Sequence, residues 1–292
     1  MPLDGSKLAE AALPFARQLS GRLGLDVTFL HVSGSDESRL ASMHHAYVNG
    51  VADNMKRQFK EAGIPVEARG RVVVGHPAEQ ILQYVQKNHI DLILMASHGR
   101  SGVMRWALGS VADKVLRASE VPVWLVKAGS AQESDYDKWP KITALVLLDG
   151  SELAEQVLPH VEVMVKQRGA DIVDVILVRV CEPPAIPSDY PPSMPLSWDE
   201  HVKQEMAKSR QRNEQYLLAV EKRLRDVGLS VRSQVLMGKA ADEIVDYAAE
   251  TPFSLIAMTT RGRSGLSRWV YGSVAEKVLL GVSCPILLVK PH

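Results

Sequence analysis

The feature that most limits how this chain can fold is that its sequence is written twice. The run Gly99-Arg-Ser-Gly-Val-Met-Arg-Trp-Ala-Leu-Gly-Ser-Val-Ala-Asp-Lys-Val-Leu116 returns as Gly262-Arg-Ser-Gly-Leu-Ser-Arg-Trp-Val-Tyr-Gly-Ser-Val-Ala-Glu-Lys-Val-Leu279. The same offset of 163 carries Gly75 onto Gly238, whereas Leu3-Asp-Gly-Ser-Lys-Leu-Ala-Glu10 meets Leu148-Asp-Gly-Ser-Glu-Leu-Ala-Glu155 at an offset of 145. The second copy therefore holds 18 extra residues, most of them in the proline-rich run from Cys181 to Pro195. Such a run propagates neither a helix nor a central strand, so it reads as a long loop. A period this long, seen only twice, means two domains and not a solenoid of short repeats. Residues 1–128 form the first domain, the polar stretch 129–140 a linker, and 141–292 the second.

Within each copy, short apolar runs alternate with segments of helical periodicity, the pattern of βαβ units around a parallel sheet. Strands are expected at Val27–Val32, Val66–Val74, Leu92–Ala96 and Val121–Val126, and then at Ile142–Leu148, Ile172–Val180, Val231–Leu236, Leu255–Met258 and Pro285–Val289. Helices are expected at Leu8–Leu19, Ser42–Glu61, Pro77–Asn88 and Ser110–Ala118, with their counterparts in the second copy. The fold class is α/β, as two tandem doubly wound parallel sheets of Rossmann-like type. Pro77 suits a first helical position, and Ser273-Val-Ala-Glu276 reads as a capping box. Only Met1-Pro2-Leu3 stands where the second copy has a full first strand, so that strand is expected to be stunted or cut short by the choice of start codon.

Lys+Arg and Asp+Glu are equal at 34 each, which removes a global field drawing the chain to nucleic acid or anionic lipid. The two cysteines, Cys181 and Cys284, have neither disulfide-framework nor zinc spacing, and no apolar run reaches membrane-spanning length. A cytoplasmic protein without nucleic-acid or membrane partners is expected.

In a doubly wound sheet, ligands bind beyond the carboxyl ends of the strands. Asp4-Gly5-Ser6 and Asp149-Gly150-Ser151 follow the first strand of each copy, while the loops from Gly99 and Gly262 run into the last helix at Ser110 and Ser273. The amides at a helix start favour phosphate. An ordinary P-loop and a G-x-G-x-x-G turn after the first strand are both missing from the sequence.

Aspartate-glycine-serine after strand one, with a glycine, nine residues and then Gly-Ser, resembles the ATP-binding class of universal stress proteins, over nearly the whole chain and twice. The resemblance implies an adenine nucleotide alpha hydrolase-like fold and a site for ATP, with Mg²⁺ carried by phosphate oxygens and Asp4 or Asp149. In the first copy it implies contacts from Asp4, Gly99, Gly102, Gly109, Ser110 and Val111, with backbone near Val32 reading the adenine edge. In the second it implies Asp149, Gly262, Gly265, Gly272, Ser273 and Val274, with backbone near Val180. Arg100 and Arg263 are candidates to meet the polyphosphate. The first glycine of the family pattern is replaced by Ala96 and by Thr259, and a β-branched residue at a position needing positive φ would weaken the second site.

The resemblance also implies pairing of the domains through their last strands as an internal pseudo-dimer, with further dimerisation open. The expected role is regulatory binding in a stress response, with slow turnover at most. The competing functions are a nucleotide-free interaction scaffold and a slow ATP hydrolase. His98 is matched by Arg261, so the copies share no histidine chemistry. Trp106 and Trp269, beside Arg105 and Arg268, read as packing residues, and His44-His45 as surface residues. Tyr190 and Trp198 of the inserted loop read as a solvated insertion, and Cys284 as buried.

Overall fold

The computed structural model describes residues 1–34, 38–98, 108–127, 142–166, 173–183, 198–251, 255–260 and 271–291. The first copy runs α1 (Lys7–Glu10), α2 (Leu13–Leu23), β1 (Val27–Ser33), α3 (Ala41–Glu61), β2 (Ala68–Val74), α4 (Pro77–Lys87), β3 (Ile93–Ala96), α5 (Ser110–Ala118) and β4 (Val123–Val126). The second runs β5 (Ile142–Leu147), α6 (Glu152–Glu155), α7 (Leu158–Lys166), β6 (Val173–Cys181), α8 (Trp198–Asp226), β7 (Ser230–Met237), α9 (Ala240–Glu250), β8 (Leu255–Thr259), α10 (Ser273–Gly281) and β9 (Ile286–Val289). The chain thus folds as tandem α/β domains.

The expected helix over Leu8–Leu19 is in fact two helices, α1 and α2, and the second copy breaks in the same way between α6 and α7. Pro14 and Pro159 are the cause: each lacks an N–H, and its ring would collide with the carbonyl four residues earlier, at Glu10 and Glu155. Elsewhere the proline is used as expected, with Pro77 at the start of α4.

In the second copy β5 lies between β6 and β8, with every pair parallel. The strand order therefore reverses beside β5, and a crevice opens at the carboxyl ends of β5 and β8. In the first copy Met1–Leu3 stands at that central position. Leu3 N donates to Leu30 O at 2.8 Å and Leu30 N to Met1 O at 2.9 Å, enough for one bridge between Pro2 and Leu30 but not for a strand. The stub divides the sheet, so β1 and β2 form a two-stranded sheet while β3 and β4 belong to one of seven strands, ordered β3-β4-β9-β8-β5-β6-β7.

β4 and β9 pair antiparallel, with Val123 opposite Leu288, Trp124 opposite Leu287 and Leu125 opposite Ile286. Trp124 and Leu287 are the same position of the repeat, so the register is self-complementary about that pair. The strands are buried on both faces, as their near-continuous apolar sequences require. One core layer gathers Phe15, Phe29, Phe59, Leu177, Leu217 and Leu224, and the other gathers Ile81, Val115, Leu125, Ile176, Ile256 and Val278.

Candidate functional site

Each copy opens a cavity at the carboxyl ends of its central strands, of about 680 Å³ in the first and about 780 Å³ in the second. Both fall in the range of small-molecule sites. The first is walled by Asp4, His31, Val32, Ala96, Ser97, His98 and the start of α5, and the second by Asp149, Arg179, Val180, Thr259, Thr260 and the start of α10.

The Asp-Gly-Ser turn is built alike in both copies. Asp4 Oδ1 accepts from Ser6 N at 2.9 Å and from Ser6 Oγ at 2.7 Å, while Ser6 Oγ accepts from Ala9 N at 3.1 Å. Asp149 and Ser151 repeat this at 2.9, 2.6 and 3.1 Å. Gly5 and Gly150 carry φ of +82° and +84°, which the turn needs between them. The motif is therefore a turn and a helix cap that also lines the cavity, so its structural and ligand-facing readings coexist.

The last helix of each copy starts at the cavity wall. Gly109 N donates to Ser97 O and Gly272 N to Thr260 O, both at 2.9 Å, and these glycines are the N-caps. A Cβ on Gly109 would stand 3.0 Å from Ser97 O, so the close approach of loop to strand there favours glycine, whereas at Gly272 the nearest atom among the described residues, Thr260 O, would be 3.9 Å away. Neither helix has a side-chain cap. The expected capping box at Ser273–Glu276 is thus corrected: the helix starts one residue earlier than a serine cap requires, placing Ser273 and Ser110 inside the first turn. Ser110, Val111 and Ala112, and likewise Ser273, Val274 and Ala275, line the cavities with amides that have no acceptor within the helix. Such donors at a positive helix end suit an anion.

Of the residues singled out from sequence, Asp4, Val32, Ala96, Gly109, Ser110 and Val111 meet in the first cavity, and Asp149, Val180, Thr259, Gly272, Ser273 and Val274 in the second. Gly99, Arg100, Gly102, Gly262, Arg263 and Gly265 lie outside the described residues, as do Arg105, Trp106, Tyr190, Arg261, Arg268 and Trp269. Thr259 is the last residue of β8, paired with Val289, and His89 is the non-glycine residue with positive φ among those described. A β-branched side chain is at home in such a strand, so Thr259 imposes no backbone strain.

Two further expectations fail. His44 is not on the surface: α3 turns it inward to 3% exposure, where its ring packs at a tilt of 41° against His31 with centroids 4.2 Å apart. Cys284 is only partly buried, because it precedes β9, while Cys181 within β6 is buried.

Sequence reasoning also missed a brace behind each cavity. Tyr47 Oη donates to Glu10 Oε1 at 2.8 Å, and Tyr216 Oη to Glu155 Oε1 at 2.9 Å. Burial, and then the Glu155 carboxylate, push the Tyr216 phenol well above its usual range. Both tyrosines and both glutamates do recur in the sequence, but the inserted loop shifts the helical offset to 169 and conceals the pairing. In the first cavity Ser97 Oγ lies 3.0 Å from His98 Nδ1. In the second, Arg179 stacks 4.8 Å over Tyr216, and Glu182 Oε1 accepts from Ala240 N at 2.9 Å. Beside the second cavity, Tyr271 reaches across to the first copy, donating to Asp113 O at 3.3 Å under the Arg117 guanidinium.

The family model for the universal stress protein family matches residues 1–127 and again 143–290. A universal stress protein of Methanocaldococcus jannaschii is 30% identical over 145 residues, covering 49% of this chain and 78% of its own. One of Mycobacterium tuberculosis is 23% identical over 303 residues, covering 99% of this chain and 95% of its own. Among solved structures, a universal stress protein of Archaeoglobus fulgidus superposes with a TM-score of 0.65 at 20% identity, covering 100% of this chain and 97% of that one.

Proposed function

This chain belongs to the universal stress protein family, and from that premise we propose that it is a regulatory binder of adenine nucleotide, ATP by preference, with one site in each domain. The observation that carries this reading is the repeated construction: two cavities of nucleotide size, each with an uncapped helix start at one end and an aspartate turn at the other. The amides of Ser110 to Ala112 and of Ser273 to Ala275 would hold phosphate oxygens, aided by the serine hydroxyls and by Arg100 and Arg263. Asp4 and Asp149 would meet the ribose. One oxygen of each aspartate already accepts two hydrogen bonds within its turn, so Mg²⁺ would be held chiefly by the phosphates it arrives with. The antiparallel register of β4 and β9 supports an internal pseudo-dimer of the two domains.

Denaturing the purified protein and counting released adenine nucleotide by ion-pair chromatography tests the reading. Near two equivalents per chain supports both sites, and near one supports a single working site. If none is released and added ATP shifts no melting temperature, the scaffold function replaces it.

A further inference from the structure

The two copies share a frame but differ in sequence at three aligned positions. His31, His76 and His98 line the first cavity. The repeat aligns these with Arg179, which lines the second cavity, with Lys239, the N-cap of α9, and with Arg261, which lies outside the described residues. The correspondence is structural for two of them: Leu3 N to Leu30 O matches Leu148 N to Val178 O, which aligns His31 with Arg179, and His76 and Lys239 are the N-caps of α4 and α9. Arg179 stays charged at any physiological pH, and the aligned residues of the second copy are of the same permanently charged kind, where the first cavity carries imidazoles.

Resting on the nucleotide reading above, we propose that the first cavity is a proton-linked site: binding of a nucleotide polyphosphate there draws protons onto its histidines, so its occupancy rises as the pH falls from about 8 to about 6, while that of the second cavity does not.

The placement of His98 ties proton to ligand. Its Cα would stand 3.5 Å from a Cβ on Gly109, so it lies against the start of α5, whose positive end opposes an imidazolium until an anion arrives. Ser97 Oγ lies 3.0 Å from its Nδ1, and Asp4 lines the same cavity. His31 is set differently. Its Nδ1 lies 2.8 Å from Leu3 O, and a carbonyl only accepts, so Nδ1 bears hydrogen and a second proton goes to Nε2. His44, tilted at 4.2 Å, and Tyr47, edge-on at 6.3 Å, face it from α3, with Glu10 behind Tyr47. Two imidazoliums this close would repel. At the position of His44 the second copy has Asn213, which carries no charge and lines the same cavity as Arg179. His76 is flanked by Glu79 in the first turn of α4. The chain therefore carries a site sensitive to acid and a reference site that is not.

Calorimetric titration of the full chain with ATP at pH 6, 7 and 8 tests this, with Ser273→Asp to silence the second cavity and Ser110→Asp the first. The expected result for Ser273→Asp is a Kd at least about tenfold tighter at pH 6 than at pH 8, beyond any change in Ser110→Asp. The second variant reports protonation of ATP itself. His98→Arg, which installs the residue of the second copy, should remove most of the difference by tightening binding at pH 8. On the unmodified protein, binding heats in buffers of different ionisation enthalpy should show net proton uptake at pH 7. Equal pH profiles in the two silenced chains, or zero net uptake, overturn the proposal and leave the nucleotide reading standing. Failure of ATP to bind at any pH overturns both.

Discussion

Gly75 and Gly238 hold φ of +142° and +145° where each copy turns from its edge strand into the next helix, and each donates its N–H to the neighbouring strand, at Ser33 O and Cys181 O. An L side chain is strained there, and its Cβ would press on Gln80 Cγ at 2.9 Å in one copy and on Glu243 in the other. Gly75→Ala and Gly238→Ala should each cost about 1–3 kcal/mol, seen as a lower urea midpoint with unchanged slope. The Cys284 thiol tests burial from the other direction. Desolvation pushes it up to about 11, against a smaller downward pull from its own backbone hydrogen bond and from Lys127. The thiolate is the nucleophile, so alkylation at pH 8 should run about a hundredfold slower than for a free thiol, and its rate should keep climbing past pH 9 instead of levelling off. Residue by residue, the repeat marked Gly75, Gly109 and Asp4 in the sequence. It left His44 illegible, because whether one histidine of an adjacent pair faces inward depends on the rotation of α3 and not on composition.

At the scale of elements, the start of the last helix is the sharpest test. An aspartate in the first turn is favoured by the helix dipole, yet its carboxylate would stand where a phosphate is to bind. Ser110→Asp and Ser273→Asp should therefore leave the melting temperature unchanged or slightly raised, while each removes about one equivalent of bound nucleotide. A loss of fold instead would mean that the hydroxyls matter to the helix itself. The tyrosine braces join α1 to α3 and α6 to α8. Tyr216→Phe should cost about 1–2 kcal/mol, a hydrogen bond to a charged group discounted for its partial exposure, measured by chemical denaturation. Most strands were legible to within a residue or two from apolar runs alone. The exception among helices, Leu8–Leu19, was mis-drawn because apolar periodicity continues through Pro14, while the backbone does not.

Over the whole molecule, the two copies meet through β4 and β9, and equivalent side chains reach across in both directions. Lys127 Nζ donates to Leu280 O at 3.2 Å, and Lys290 Nζ to Glu120 Oε1 at 2.7 Å. At the centre of the seam, Trp124 is 3% exposed and its Nε1 finds no hydrogen-bond partner among the described residues. Trp124→Phe gives up ring contacts but also an unsatisfied donor, so its net cost should stay within about 1 kcal/mol by chemical denaturation. A cost of several kcal/mol would mean that the indole N–H is satisfied after all. Two domains, their order and their fold class were readable from the repeat. The division of the first sheet followed from the three residues before Asp4, whereas the register between β4 and β9 was not readable, since any two apolar edges of four residues can pair in several ways.

That seam has one more consequence. Where separate subunits meet, their union depends on how many copies a cell holds, and a scarce protein falls apart. Here both partners lie on one chain, at a local concentration fixed by the tether. The two-cavity unit is therefore indifferent to dilution, and each cavity is always joined to its unlike sibling, which leaves their sequences free to drift apart without a mismatched pair ever forming.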